Sequence, residues 1–259
     1  MKKLAIFGCG YLANIVADAV INGLLPEYDL IAAYSRSISK AEQLADRIGK
    51  SCIACSSLEE LLALKPDYLV EAASPVAMKK IALPVLENGT SIVTISMGAF
   101  ADTAFYEKVK ATAKTHGTKV YIASGATGGF DVLRTATLMG NASVNFFNEK
   151  GQYRLRNYPF YNPVMETEKC IVFSGTAREA IDMFPTGLNV AVAASIASVG
   201  PGKMQVTMQS TPGFIGDTQR VEIKNDQVHA VVDVYSATPE IAGWSIVSTL
   251  QNIVSPIVF

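Results

Sequence analysis

The chain reads as an α/β protein: a doubly wound parallel sheet followed by an α+β region with a mixed, open-faced sheet. Three observations predict it. An apolar strand, Leu4-Ala-Ile-Phe7, runs directly into Gly8-x-Gly10-x-x-Ala13 and then into an apolar-periodic helix carrying Ile15, Val16, Ala19 and Val20. Strands then alternate with helices over about the first 120 residues, the signature of a parallel sheet with helices on both faces. Beyond residue 140 the strands alternate polar with apolar residues, as in a sheet with one face uncovered.

The first turn carries the most chemistry. Gly8 permits a tight turn, Gly10 has no side chain to keep a pyrophosphate from the backbone, and Ala13 is small enough for close helix–strand packing. Unpaired N–H groups at the helix start favour anionic phosphates. Gly8, Gly10, Tyr11, Leu12 and Ala13 are therefore the first candidates for a Rossmann-type dinucleotide site, the alternative being an ordinary glycine turn. Leu30–Tyr34 follows as the second strand, with Ser35-Arg36-Ser37 at its carboxyl end. An NAD-selective site usually places an acid there, and an arginine can pair with a 2′-phosphate. Arg36 thus points to NADP, with NAD or a merely solvated arginine as alternatives.

The alternation continues with helix 40–47, strand 52–54, helix 58–64 and strand 68–71. A helix over 76–86 stops at Asn88-Gly89, and strand 91–95, helix 102–113 and strand 119–122 complete the series. Ligands of such sheets lie beyond the carboxyl ends of the strands. The small, polar loops Ala72-Ala73-Ser74-Pro75 and Ser96-Met97-Gly98-Ala99 qualify as cofactor contacts. So does Ser124-Gly125-Ala126-Thr127-Gly128-Gly129, which reads as the seam between cofactor and substrate, or as a hinge.

The second region is expected to hold strands 143–147, 153–156, 169–173, 204–209, 220–223 and 228–235. Helices are expected over 132–139, 176–183 and 189–198, and Asn225-Asp226 is a hairpin turn. A last helix from Pro239 to Val254 is expected to return to the first domain. The domain bounds are then 1–123 for dinucleotide binding, 124–238 for substrate and dimerisation, and 239–259 for the C-terminal helix.

Composition excludes several function classes. Half of the chain is hydrophobic (49%), 17% is charged and the net charge is −1, so neither nucleic acid nor an anionic membrane is attracted in general. The apolar run before Gly8 is too short for a secretion signal, and no stretch approaches a membrane span. A cytoplasmic enzyme acting on a small molecule is expected. Cys52-x-x-Cys55 has no second pair and no histidine at ligand spacing, so the cysteines read as buried thiols and no metal is expected. His116 reads as a helix-end residue and His229 as a strand residue.

With those residues in hand, the chain resembles the L-aspartate dehydrogenase family along its whole length. The resemblance lies in Gly8-Cys9-Gly10, Glu71-Ala72-Ala73-Ser74-Pro75, Ser124 through Asp131, Gly175-Thr176-Ala177-Arg178-Glu179-Ala180, and Phe184-Pro185-x-x-x-Asn189-Val190-Ala191. It implies a homodimer and the reversible oxidation of an amino acid to an imino acid with NAD or NADP. It also implies cofactor contacts at Ala126 and Asn189, and a product that can pass toward NAD biosynthesis.

Two departures accompany it. Where the family places the histidine of an Asn-x-His, thought to be the catalytic acid/base, Gln219 stands; where it has Asn-Pro-Lys-Thr-Ser, this chain has Thr238-Pro239-Glu240-Ile241-Ala242. A glutamine hydrogen-bonds but exchanges no proton near neutrality. Gln219, Asp217 and Lys169 are therefore the catalytic candidates, the last two to carry the proton. The competing readings are a reductase of another small carbonyl or imine, and a cofactor-binding protein without catalysis.

Overall fold

The computed structural model describes residues 1–49, 51–184 and 187–259, which form two compact units, Met1–Gly125 with Glu240–Phe259, and Ala126–Pro239. Pro185, part of one motif quoted above, lies outside the described residues.

The first unit is built on a six-stranded parallel sheet in the order β3-β2-β1-β4-β5-β6. Its strands are β1 (Lys2–Phe7), β2 (Tyr28–Tyr34), β3 (Ile53–Cys55), β4 (Tyr68–Glu71), β5 (Ser91–Thr94) and β6 (Val120–Ile122). Between them run α1 (Tyr11–Ile21), α2 (Ile38–Ile48), α3 (Leu58–Ala63), α4 (Pro75–Glu87) and α5 (Thr103–His116). Leu4, Ala5 and Ile6 have no exposed surface, as a central strand covered on both faces requires. The chain winds outward from β1 to β3 and then crosses back to β4, so the strand order reverses between β1 and β4. In open α/β sheets a ligand crevice opens at that reversal.

Local chemistry sets the element ends. Ser57, Ser74 and Asp102 accept hydrogen bonds from Glu60, Ala77 and Phe105 N–H and so cap α3, α4 and α5, while Pro75 supplies a preset φ at the start of α4. His116 ends α5 ahead of left-handed Gly117.

The C-terminal helix α9 (Glu240–Val254) packs on α1. A side chain at Gly243 would sit 2.6 Å from Ile15 Cδ1, so only glycine permits that approach, and Tyr28 Oη donates to the Leu250 carbonyl at 2.8 Å.

The second unit is a mixed five-stranded sheet in the order β11-β10-β7-β9-β8. Here β7 is Ser143–Gly151, β8 Cys170–Thr176, β9 Gln205–Thr211, β10 Asp217–Lys224 and β11 His229–Ser236; β7 and β9 run parallel, the other neighbours antiparallel. One face packs Phe146, Val206, Met208, Val221 and Ile223 in a core with residues of α6 (Phe130–Leu138), α7 (Ala177–Met183) and α8 (Asn189–Ile196). The opposite face carries cross-strand polar pairs, an ion pair of Arg220 with Asp233 at 3.6 Å and a hydrogen bond between Glu222 and His229 Nε2 at 2.7 Å. This accounts for the two-residue alternation and places His229 on an exposed strand face.

One expected strand is absent. Residues 153–156 do not extend the sheet; β7 runs on to Gly151, and the chain then enters a 3-10 turn over Gln152–Arg154. A side chain at Gly151 would lie 2.2 Å from the Phe214 carbonyl oxygen, and the segment beyond it is gathered by its own polar groups. Glu166 receives Gln152 Nε2 at 3.0 Å, Arg156 Nε at 2.8 Å and the Tyr161 hydroxyl. Side-chain hydrogen bonding outcompetes ladder formation here.

Candidate active site

The crevice at the strand-order reversal is a cavity of about 520 Å³ at the carboxyl ends of β1, β2 and β4. Gly8, Gly10, Ser35, Arg36, Ser37, Ala72, Ala73 and Ser74 all line it. The two glycines differ in kind. Gly8 has φ +100°, and a side chain there would meet Ala73 N and Cβ at 2.8 Å, so it is a packing glycine. At Gly10 no atom lies within 4 Å of where a side chain would sit, so it faces open space in front of the α1 N-terminus. That gap beside unpaired helix N–H groups fits a pyrophosphate.

Other sequence candidates fall elsewhere. Ala13 is buried, and Leu12 does not line the cavity; the Tyr11 hydroxyl is turned toward Glu240, to which it donates at 2.9 Å. Ser96 is 2% exposed and donates inward to Glu71, while Ser124 follows β6 at the end of the sheet. Ala126 and Asn189 belong to the second unit. Lys40 and Lys80 line the cavity as well and were missed; each lies on a helix, one turn beyond a loop already singled out. Among the described residues, no acidic one lines it.

Glu71, at the end of β4, carries a role the sequence reading did not give it. Its carboxylate is wholly buried and accepts from Ala73 N–H at 2.9 Å, Ser74 N–H at 3.0 Å, the Thr94 hydroxyl at 2.7 Å and the Ser96 hydroxyl at 3.1 Å. It therefore ties the loop after β4 to the loop after β5, and holds Ala73 against Gly8. Burial raises its carboxyl above the usual carboxylate range, opposed by these four donors. The nearby thiols are inert, since burial pushes Cys9 up to about 11 and Cys52 up to about 12.

A second polar constellation lies on the core face of the second unit's sheet, where the apolar residues give out. Register places Ser210, Lys150 and Asp217 in one row across β9, β7 and β10, with Asn148 opposite Gln219 in the next. Lys150 Nζ lies 3.3 Å from Asp217 Oδ2 and donates to the Gly187 carbonyl at 2.9 Å; their side chains are 11% and 15% exposed. Gln219 Nε2 donates to Asp217 Oδ1 at 2.8 Å, and Asn148 Nδ2 donates to the same oxygen and to the Thr218 carbonyl. Those bonds turn both amide oxygens away from the carboxylate. Asn148 Oδ1, Gln219 Oε1 and Ser210 Oγ are buried and without a partner among the described residues. Burial raises the Asp217 carboxyl above its ordinary range, against the pull of Lys150 and Asn148.

This geometry brings together two of the three catalytic candidates and places the third apart from them. Gln219 is 3% exposed and its Nε2 donates to Asp217 Oδ1, which fixes that carboxylate oxygen. Lys169 is exposed and precedes β8, which is separated from β10 by β9 and β7, an offset of about 14 Å at normal strand spacing. The ammonium beside Asp217 belongs to Lys150. Strand alternation from Val144 and Phe146 through Asn148 to Lys150, two polar residues on an otherwise apolar face, was the signal available for it.

A parallel sheet with an open glycine cradle at its reversal, followed by an α+β unit with a buried acid–base pair, defines a dinucleotide-dependent oxidoreductase scaffold. Residues 8–123 match the family model described as homoserine dehydrogenase, NAD binding domain, and residues 131–253 the model described as aspartate dehydrogenase, C-terminal. The L-aspartate dehydrogenase of Methanosarcina mazei is 31% identical across 99% of this chain and 98% of its own length. That of Methanocaldococcus jannaschii is 35% identical across 80% of this chain and 78% of its own. The crystal structure of aspartate dehydrogenase from Thermotoga maritima superposes with a TM-score of 0.81, covering 100% of this chain and 99% of that one at 26% identity. The chain belongs to the aspartate dehydrogenase family.

Proposed function

We propose that the protein is an L-aspartate dehydrogenase that prefers NADP, oxidising the CH–NH₂ group of aspartate to the imine, which water converts to oxaloacetate and ammonia. The observation that carries the reading is the open cradle at Gly10 with Arg36, Lys40 and Lys80 lining the same cavity and no acid among its walls. That charge pattern suits a 2′-phosphate, where an NAD-selective site would hold a carboxylate against the ribose hydroxyls. When bound, the nicotinamide supplies the two-electron acceptor.

The remaining chemistry falls to the second unit. The substrate ammonium sheds one proton before its carbon can be oxidised, and Asp217 takes it. A carboxyl held above the usual range by burial works closer to neutral pH as both base and acid. Lys150 holds Asp217 in place and balances its charge, and Gln219, standing for the family's histidine, fixes the carboxylate's orientation. The protein is further read as a cytoplasmic homodimer. Support for the dimer is the uncovered face of the second sheet, whose edge strands expose Ile171, Val231 and Tyr235.

The test is NADPH consumption with oxaloacetate and ammonia at high protein concentration, with NADPH binding followed in the same sample. Turnover supports the reading; binding without turnover removes aspartate and leaves the cofactor. Arg36→Ala should weaken NADPH by about 10-fold or more, the worth of a charge-assisted bond, and leave NADH nearly unchanged. Equal weakening of both would overturn the NADP preference.

A further inference from the structure

We infer that Arg154 is the specificity-determining residue for the carboxylate remote from the reacting amino group, the feature that separates a dicarboxylic amino acid from a neutral one. The inference rests on the proposed amino-acid dehydrogenase activity and adds to it the residue that selects the substrate.

Arg154 stands at the outer edge of the Lys150–Asp217 pair, as a longer ion-pair partner of the same carboxylate. Its Nη1 lies 3.9 Å from Asp217 Oδ2, beyond hydrogen-bonding distance, and its side chain is 34% exposed where those of Lys150 and Asp217 are 11% and 15%. Its Nε donates to the Tyr153 hydroxyl at 3.3 Å, and among the described residues its two terminal nitrogens make no hydrogen bond. A planar fork with free donors, next to a carboxylate already satisfied by Lys150, Asn148 and Gln219, is matched to a second carboxylate arriving from solvent.

The cluster has the corresponding charge. With Lys150 and Arg154 cationic and Asp217 anionic it carries one net positive charge, which a single carboxylate neutralises. Lys150 is the poorer candidate for that task, because its ammonium is spent on Asp217 and the Gly187 carbonyl.

The guanidinium is also held ready. Gly151, lacking a side chain, lets the Tyr153 ring lie within 2.5 Å of where one would be, and the guanidinium carbon sits 5.8 Å from that ring's centre. Gln152 is anchored on one side to Glu166 at 3.0 Å and on the other to Gly213 N–H at 3.0 Å. Bonds on both sides of Gln152 fix the short turn that presents Arg154, so little side-chain order remains to be imposed on binding.

The experiment compares wild type, Arg154→Ala and Arg154→Lys in steady-state kinetics with aspartate and with alanine, alongside calorimetric binding of succinate to the NADP-loaded protein. For Arg154→Ala the expected result is a rise of about 10- to 100-fold in KM for aspartate, the range of a charged hydrogen bond, with kcat reduced less than about threefold. The preference for aspartate over alanine in kcat/KM should fall by the same factor, and Arg154→Lys should recover part of it. An unchanged preference, or a loss confined to kcat, would overturn the assignment. Succinate separates the two levels of the argument. Wild type that binds succinate, weakened by Arg154→Ala, upholds the carboxylate site even if no amino acid is turned over. Wild type that turns over aspartate while both proteins bind succinate equally rejects Arg154 and keeps the dehydrogenase.

Discussion

The cradle at the end of β1 is made almost wholly of backbone. Gly8, Gly10, Ala72 and Ala73 contribute shape, and the one carboxylate beneath them, Glu71, has no exposed surface. The cluster on β7 and β10 is the reverse: its chemistry sits in the side chains of Asn148, Lys150, Asp217 and Gln219, drawn from two distant segments, with Asn148 and Asp217 69 positions apart in the chain. A backbone site depends on conformations that few residues adopt, so substitutions there act through geometry. A side-chain site depends on charge and proton affinity, so isosteric substitutions there silence chemistry and leave the fold.

The largest effect should come from breaking the side-chain site. Asp217→Asn keeps the shape and removes the proton acceptor, and kcat for aspartate oxidation should fall by about 10²- to 10⁴-fold. The wild-type rate should rise with pH through the raised Asp217 value, since the ionised form is the base, and that limb should vanish in the variant. Unaltered kcat, or an unaltered pH profile, would remove Asp217 from the chemistry.

The backbone site sharpens the contrast within itself. Gly8→Ala forces a side chain into the left-handed region and against Ala73, and should cost about 2–5 kcal/mol of stability from strain and overpacking together. Gly10→Ala meets nothing in the folded protein and should leave Tm within a degree or so while weakening NADPH by about 10-fold or more, by filling the phosphate's place. Thermal melts with and without NADPH separate the two, and similar apoprotein melting temperatures for both variants would sink the distinction.

The same difference explains what was legible in the sequence. Gly8 and Gly10 announce themselves because glycine is the residue type their backbone needs, and periodicity gave both sheets to within a few residues at most ends. Lys150 and Lys80 announce nothing, since a lysine looks alike on a solvated helix and on a core-facing strand; only register shows that Lys150 lies opposite Asp217. Glu71 was read as part of a motif and its work was invisible, because its four donors come from two loops that meet only in the fold. Residues 153–156 misled by composition: Arg156 is bonded to Glu166, and Gln152 just before them accepts from Gly213 N–H in the turn after β9, so no neighbouring strand is paired there.

Glu71 joins the two kinds of site, a side chain whose work is to hold backbone. The folded chain keeps its proton at pH values where the unfolded chain, with an ordinary glutamate value of about 4.3, has lost it. The stability this contributes is complete below that value and is lost as pH rises through the folded one. Glu71→Gln has no proton to lose, so its Tm relative to wild type should climb between about pH 4 and the upper end of that window. Glu71→Ala, leaving four donors without their acceptor, should lose about 3 kcal/mol or more at any pH. A flat Glu71→Gln difference across the range would show that burial does not hold the carboxyl up.

The smallest effect tests the placement of the lysines. Lys169→Ala removes an exposed charge about 14 Å of sheet away from Asp217, and should change kcat and KM by less than about twofold. Lys150→Ala, by contrast, strips Asp217 of its only ion-pair partner within 3.5 Å among the described residues and leaves a largely buried carboxylate uncompensated. The Asp217 carboxyl then rises further, and the acidic limb of the rate profile moves to higher pH by the loss of the Lys150 attraction. If Lys169→Ala shifted that limb and Lys150→Ala did not, the register between β7 and β10 would be the wrong place to look for the proton.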